Sequence, residues 1–128
     1  MLEKITIDEI KSASERLVGI ATRTPLVRLN YPESDSEIYL KLENLQPIGS
    51  FKLRGAYNAI AMIGADELAK GVSTSSAGNM AQGVAWSANK FGVQTILLSI
   101  ESKRVFESIY PDYIASNFSE AVDFILDS

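Results

Sequence analysis

A lysine and a serine-rich loop are the two places in this sequence where residue types and spacing could do chemistry. Lys52 lies in the run Gly49-Ser50-Phe51-Lys52-Leu53-Arg54-Gly55-Ala56, where a turn hands over to a helix. A lysine at a helix N-terminus feels the positive end of the macrodipole, which favours the neutral amine and primes it to form a Schiff base with a carbonyl compound. Phe51 beside it can cover a cofactor ring. Further on, Ser75-Ser76-Ala77-Gly78-Asn79 precedes a second helix, and backbone N–H groups there suit an anion such as a carboxylate. Each motif also has an ordinary reading: a solvated surface lysine for the first, a helix N-cap loop for the second.

Little other catalytic hardware is available. The sequence has neither cysteine nor histidine, which removes disulfides, thiolate nucleophiles, Cys/His zinc sites and a histidine base. No metal site is expected. Twelve basic and sixteen acidic residues give a net charge of −4 with no basic stripe, so no nucleic-acid partner is expected. No apolar stretch approaches the roughly twenty residues that span a bilayer, and Met1-Leu2-Glu3-Lys4 lacks the layout of a secretory signal. The expected location is the cytoplasm, although a mature organellar chain would look the same. A homo-oligomer is allowed but not specified.

The elements that must position the two motifs follow from period and punctuation. Thr6 and Glu9 form a capping-box pattern, with Ile10, Ala13, Leu17 and Ile20 recurring behind it, which predicts a helix over 7–21. Tyr31 to Ser36 reads as a polar loop and Glu37 to Leu42 as a strand. A turn holding Pro47 and Gly49 leads into a helix over 50–63, which puts Lys52 in its first turn. A strand at Val72-Ser73-Thr74, a helix over 79–90 and a strand over 95–99 come next. Glu101 to Ser108 reads as a short helix, Tyr113 to Ala115 as a strand, and Asn117 to Glu120 as a capping box opening a last helix to Leu126. The alternation predicts one α/β domain over residues 1–128, a three-layer fold with a mostly parallel sheet.

Lys41-Leu42-Glu43-Asn44-Leu45-Gln46-Pro47 followed by Gly49 to Ala56 resembles the attachment signature of fold-type II pyridoxal phosphate (PLP) enzymes, most closely the threonine/serine dehydratase branch. Cysteine and threonine synthases typically show Lys-Asp-Arg where this chain has Lys52-Leu53-Arg54. The string Gly71 to Ala85 resembles the same branch. The resemblance implies that Lys52 carries PLP and acts as the catalytic lysine, that Phe51 packs on the cofactor, and that Asn79 bonds its 3′-oxygen. It also implies that Ser75, Ser76, Ala77, Gly78 and Asn79 hold the carboxylate of a small amino-acid substrate. No catalytic role passes to Arg54.

The implied reaction converts threonine or serine to a 2-oxo acid and ammonia. Serine racemases have a second serine where this chain has Ala77, which disfavours racemisation. Met80 stands where the family usually has histidine. The resemblance covers about residues 7–98, and no glycine follows Gly92, so the glycine-rich loop that binds the PLP phosphate in relatives is expected to be missing from this chain. Residues 99–128 read as an atypical tail, and a non-catalytic truncated, excised or chimeric α/β domain is the alternative. A generic nucleotide-binding module ranks last, for want of Gly-x-Gly-x-x-Gly or a P-loop.

Overall fold

The fold is seen in a computed structural model that describes residues 4–33, 35–76, 78–98 and 111–127. The first helix, α1 (Ile7–Arg16), starts as the capping box predicts. Thr6 Oγ1 accepts the Glu9 N–H at 3.2 Å, while Glu9 Oε2 accepts the Thr6 N–H at 2.6 Å. It stops five residues short of the expected Ala21. The hydrophobic period runs on through Leu17 and Ile20, but Gly19 turns into the left-handed region at φ 75° and the chain leaves in three-residue turns. None of the α1 residues is buried.

β1 (Leu26–Leu29) and β2 (Ile38–Lys41) form an antiparallel ribbon, pairing Leu26 with Lys41 and Leu29 with Ile38. β1 was not expected from the sequence. A 3₁₀ turn, Glu43–Leu45, and the positive-φ Gly49 then lead into α2 (Lys52–Ala61). A short helix, α3 (Ala65–Leu68), follows, and then α4 (Asn79–Lys90), whose bounds match the prediction.

The expected strand at Val72-Ser73-Thr74 does not form: those residues are irregular and find no ladder partner among the described residues. A strand without a neighbour has nothing to satisfy its backbone. β3 (Ile96–Leu98) instead pairs in parallel with β4 (Tyr113–Ala115). The α/β class stands, but the described strands make two two-stranded sheets, one antiparallel and one parallel, in place of a single, mostly parallel sheet. The last helix, α5 (Phe118–Leu126), is capped by Asn117, whose side chain accepts the Glu120 N–H at 3.0 Å. The expected helix over 101–108 lies outside the described residues.

The core sits where α2 meets α4. Leu53, Ala56 and Ile60 of α2 are buried, and so are Gly83, Ser87 and Ala88 of α4. Gly83 is the point of closest approach. A Cβ built there would lie 3.3 Å from the Lys52 carbonyl carbon, the Lys52 carbonyl oxygen and Ala56 Cβ. Glycine is the residue that permits this separation.

Candidate functional site

Lys52 opens α2 with a half-buried side chain. Its ammonium lies 4.9 Å from the centroid of the exposed Phe51 ring, a cation–π contact. Among the described residues, Nζ makes no ion pair or hydrogen bond. Just ahead of it, Ser50 is buried and its hydroxyl has no partner among the described residues.

The backbone that presents Lys52 is tied down on both sides. Behind it stands the Gly83 contact with α4. In front, Arg54 grips Glu43 with both arms of its fork, Nε to Oε2 at 2.8 Å and Nη2 to Oε1 at 2.9 Å, and Nη2 also reaches the Thr22 carbonyl at 2.9 Å. The Thr24 hydroxyl and the Gln46 amide donate to the same carboxylate. The buried Gln46 also clasps Thr22, accepting its N–H at 2.9 Å and donating to its carbonyl at 2.8 Å. The Lys41 ammonium donates to the Thr24 carbonyl. Bidentate, charge-assisted pairs of this kind are among the strongest side-chain bonds. Hydrogen bonding from Arg54 holds the Glu43 carboxyl down at about 2, against the opposing effect of burial, with Thr24 and Gln46 adding to it. The Arg54 guanidinium is raised in turn by its bond to Glu43.

On the other motif, Ser75 and Ser76 are exposed and irregular. The Ser76 hydroxyl accepts the Gly78 N–H at 3.2 Å. Gly78 is the N-cap of α4 and offers no side chain to it. Asn79 begins the helix and is exposed. Ala77 lies outside the described residues. The α2 N-cap, Phe51, likewise makes no side-chain capping bond, whereas α1 and α5 are capped by Thr6 and Asn117. An uncapped helix start leaves N–H groups available to a ligand.

The α2–α4 contact decides what comes together. Asn79 is four residues ahead of Gly83, about one 5.4 Å turn from the place where α4 touches the Lys52 backbone. The side chains of Lys52 and Asn79 make no hydrogen bond to each other among the described residues. A groove lined by Arg28, Leu29, Asn30, Tyr31, Pro32 and Ser36 borders the β1–β2 ribbon and includes none of the expected site residues. The described residues contain no cluster of metal ligands and no helix long and apolar enough to cross a membrane.

The sequence reading missed Glu43, Gln46 and Arg54. The available signal was an acid and a base on either side of the Pro47–Gly49 turn, close enough in sequence to meet if that turn doubles back.

The pyridoxal-phosphate dependent enzyme family matches residues 18–106. An L-threonine ammonia-lyase of Thermotoga maritima is 46% identical over 96 residues, which are 73% of this chain and 24% of that protein. Among solved structures, a serine racemase from Dictyostelium discoideum superposes with a TM-score of 0.69 at 35% identity, over 79% of this chain and 34% of that one. The processed form of threonine deaminase isoform 2 from Solanum lycopersicum gives 0.57 at 27% identity, over 99% of this chain and 33% of that one. The chain thus spans about a quarter of the length of the curated relatives it matches. With 89 of its residues inside the family match, the chain belongs to the fold-type II pyridoxal-phosphate-dependent enzymes, in the company of their threonine/serine dehydratase branch.

Proposed function

We propose that this chain carries the lysine-bearing part of a PLP-dependent ammonia-lyase that converts threonine or serine to a 2-oxo acid and ammonia. The observation that carries the proposal is the Lys52 amine, free of any described counter-ion and set over the Phe51 ring at the start of α2, where Gly83 of α4 meets its backbone. The likeness to an L-threonine ammonia-lyase supplies the reaction class.

The donor set fits the cofactor. Lys52 Nζ suits its aldehyde carbon, Phe51 its ring face, and the Asn79 amide its ring oxygen. No residue here is assigned to its phosphate, because the family's cradle is glycine-rich and no glycine follows Gly92. When bound, the cofactor supplies an electron sink that acidifies the substrate Cα–H. Lys52 Nζ, displaced from the cofactor by the substrate's amino group, would take that proton as a base and pass one to the β-hydroxyl, which would leave as water; hydrolysis of the released enamine would then give the 2-oxo acid and ammonia. Ser75, Ser76, Ala77, Gly78 and Asn79 hold the substrate carboxylate, using N–H groups at the uncapped start of α4. Phe51 shields the ring from water.

Titrating the chain with PLP, trapping with borohydride and mapping peptides by mass tests this. The expected result is an adduct on Lys52 that Lys52→Ala abolishes; no adduct there at saturating PLP sinks the proposal. A second reading is a folded non-catalytic α/β domain. Release of 2-oxobutanoate from threonine by this chain alone excludes it.

A further inference from the structure

We infer that Arg54 and Glu43 are positioning residues for Lys52: their ion pair closes the loop that presents the lysine and engages that loop's one carboxylate, so that it does not serve as a counter-ion. The inference rests on the proposed attachment of PLP at Lys52 and adds to it two residues that touch neither cofactor nor substrate.

The loop from Glu43 to Arg54 contains the 3₁₀ turn, the positive-φ Gly49, Ser50, Phe51 and Lys52. A segment so irregular has many alternative paths, and something must select one. The Arg54–Glu43 fork spans eleven residues and ties the end of the loop to its beginning. Thr22, through Gln46 and Arg54, anchors both to the strand side of the molecule. Both partners are partly buried, with side chains 34% and 17% exposed, so solvent screens the pair only in part.

The same bonds use up Glu43. Its carboxylate accepts from Arg54, Thr24 and Gln46, so its lone pairs are engaged, and among the described residues the Lys52 ammonium contacts the Phe51 ring and no carboxylate. An amine held by a carboxylate stays protonated and cannot attack a carbonyl. A lysine would not replace Arg54, because its single ammonium cannot grip both carboxylate oxygens and also reach the Thr22 carbonyl with the same planar fork.

The experiment reads the rate at which PLP labels Lys52 relative to Lys4 in the same molecule. Lys4 is an exposed reference without an ion pair among the described residues. Condensation of Nζ with the aldehyde expels water; borohydride then delivers hydride to the C=N carbon, and a proton from water completes a stable secondary amine that mass mapping counts. The expected result is a Lys52/Lys4 ratio that falls about tenfold in Arg54→Lys and in Glu43→Gln, while helical circular dichroism is retained. The double variant Glu43→Leu with Arg54→Met removes the tie that closes the loop while leaving neither partner unpaired by the loss of the other; its ratio is expected to fall as in the single variants. An unchanged ratio in the folded variants, or in the double variant alone where a single one fails to fold, overturns the positioning role and leaves the attachment proposal standing. Failure of the unaltered chain to label Lys52 selectively overturns the attachment proposal and this inference with it.

Discussion

Gly83 of α4 rests directly on the backbone of Lys52, so that a single added methyl would lie 3.3 Å from the lysine's own carbonyl oxygen. The lysine of the candidate site is thus packed through its main chain, while its tip makes no ion pair or hydrogen bond among the described residues.

Gly83→Ala sets two effects against each other. Alanine is worth up to about 1 kcal/mol over glycine inside a helix, whereas overpacking costs about 1–3 kcal/mol. The crowded atoms are backbone, and Arg54 bonded to Glu43 keeps that backbone from yielding. The crowding therefore wins. A net loss of about 1 kcal/mol is expected for alanine and a larger one for Gly83→Val, both read from urea unfolding midpoints.

Glu43 sets the acid limb of stability. Its carboxyl titrates at about 2 in the fold against an ordinary 4.5, so the unfolded chain binds its proton first. The stabilisation is fully present above about pH 4.5 and is lost as pH falls through about 2, amounting to of order 2–3 kcal/mol. Urea midpoints followed from pH 6 to pH 2 should fall in the unaltered chain. In Glu43→Gln they should start lower and fall less steeply.

Leu53 is fully buried between α2 and α4. Truncation to alanine leaves a void and should cost about 2–5 kcal/mol. The check is a lowered urea midpoint with an unchanged denaturant slope, which separates lost stability from a changed unfolded state.

Ser87 should be improvable. Its hydroxyl is fully buried and has no partner among the described residues, and an unsatisfied buried polar group costs about 1–3 kcal/mol. Ser87→Ala also gains helix propensity. A rise in stability of about 1 kcal/mol is expected, and a fall on denaturant titration would mean that the hydroxyl is satisfied.

The elements with local signals were legible in the sequence. Thr6 with Glu9, and Asn117, announce their helices because the bonds that cap them span three residues. The bounds of α4 could be read because small residues precede Asn79 and glycine follows Phe91. Most of the misses are non-local. β1 is four residues long and is defined by its pairing with β2, across a loop whose length says nothing about register. Val72-Ser73-Thr74 has strand-like residues without a described neighbour to pair with. α1 was overextended because its apolar period continues past the glycine that ends it. At the candidate site, Lys52 and Asn79 stand out by type and context, but the Arg54–Glu43 pair depends on a three-dimensional turn that residue spacing alone does not reveal.

The Arg54–Glu43 bridge also bears on the order in which the molecule assembles. Every contact that seats Lys52 comes from between Thr22 and Gly83, and a loop of about ten residues closes in on the order of 10–100 ns. The bridge itself joins positions eleven apart, whereas the bond from Arg54 to the Thr22 carbonyl closes thirty-two and the Thr95–Asp112 bond beside the β3–β4 ladder seventeen. The short-range bridge is therefore the contact expected to close first, with the Thr22 bond and the parallel ladder, which enclose longer loops, condensing afterwards.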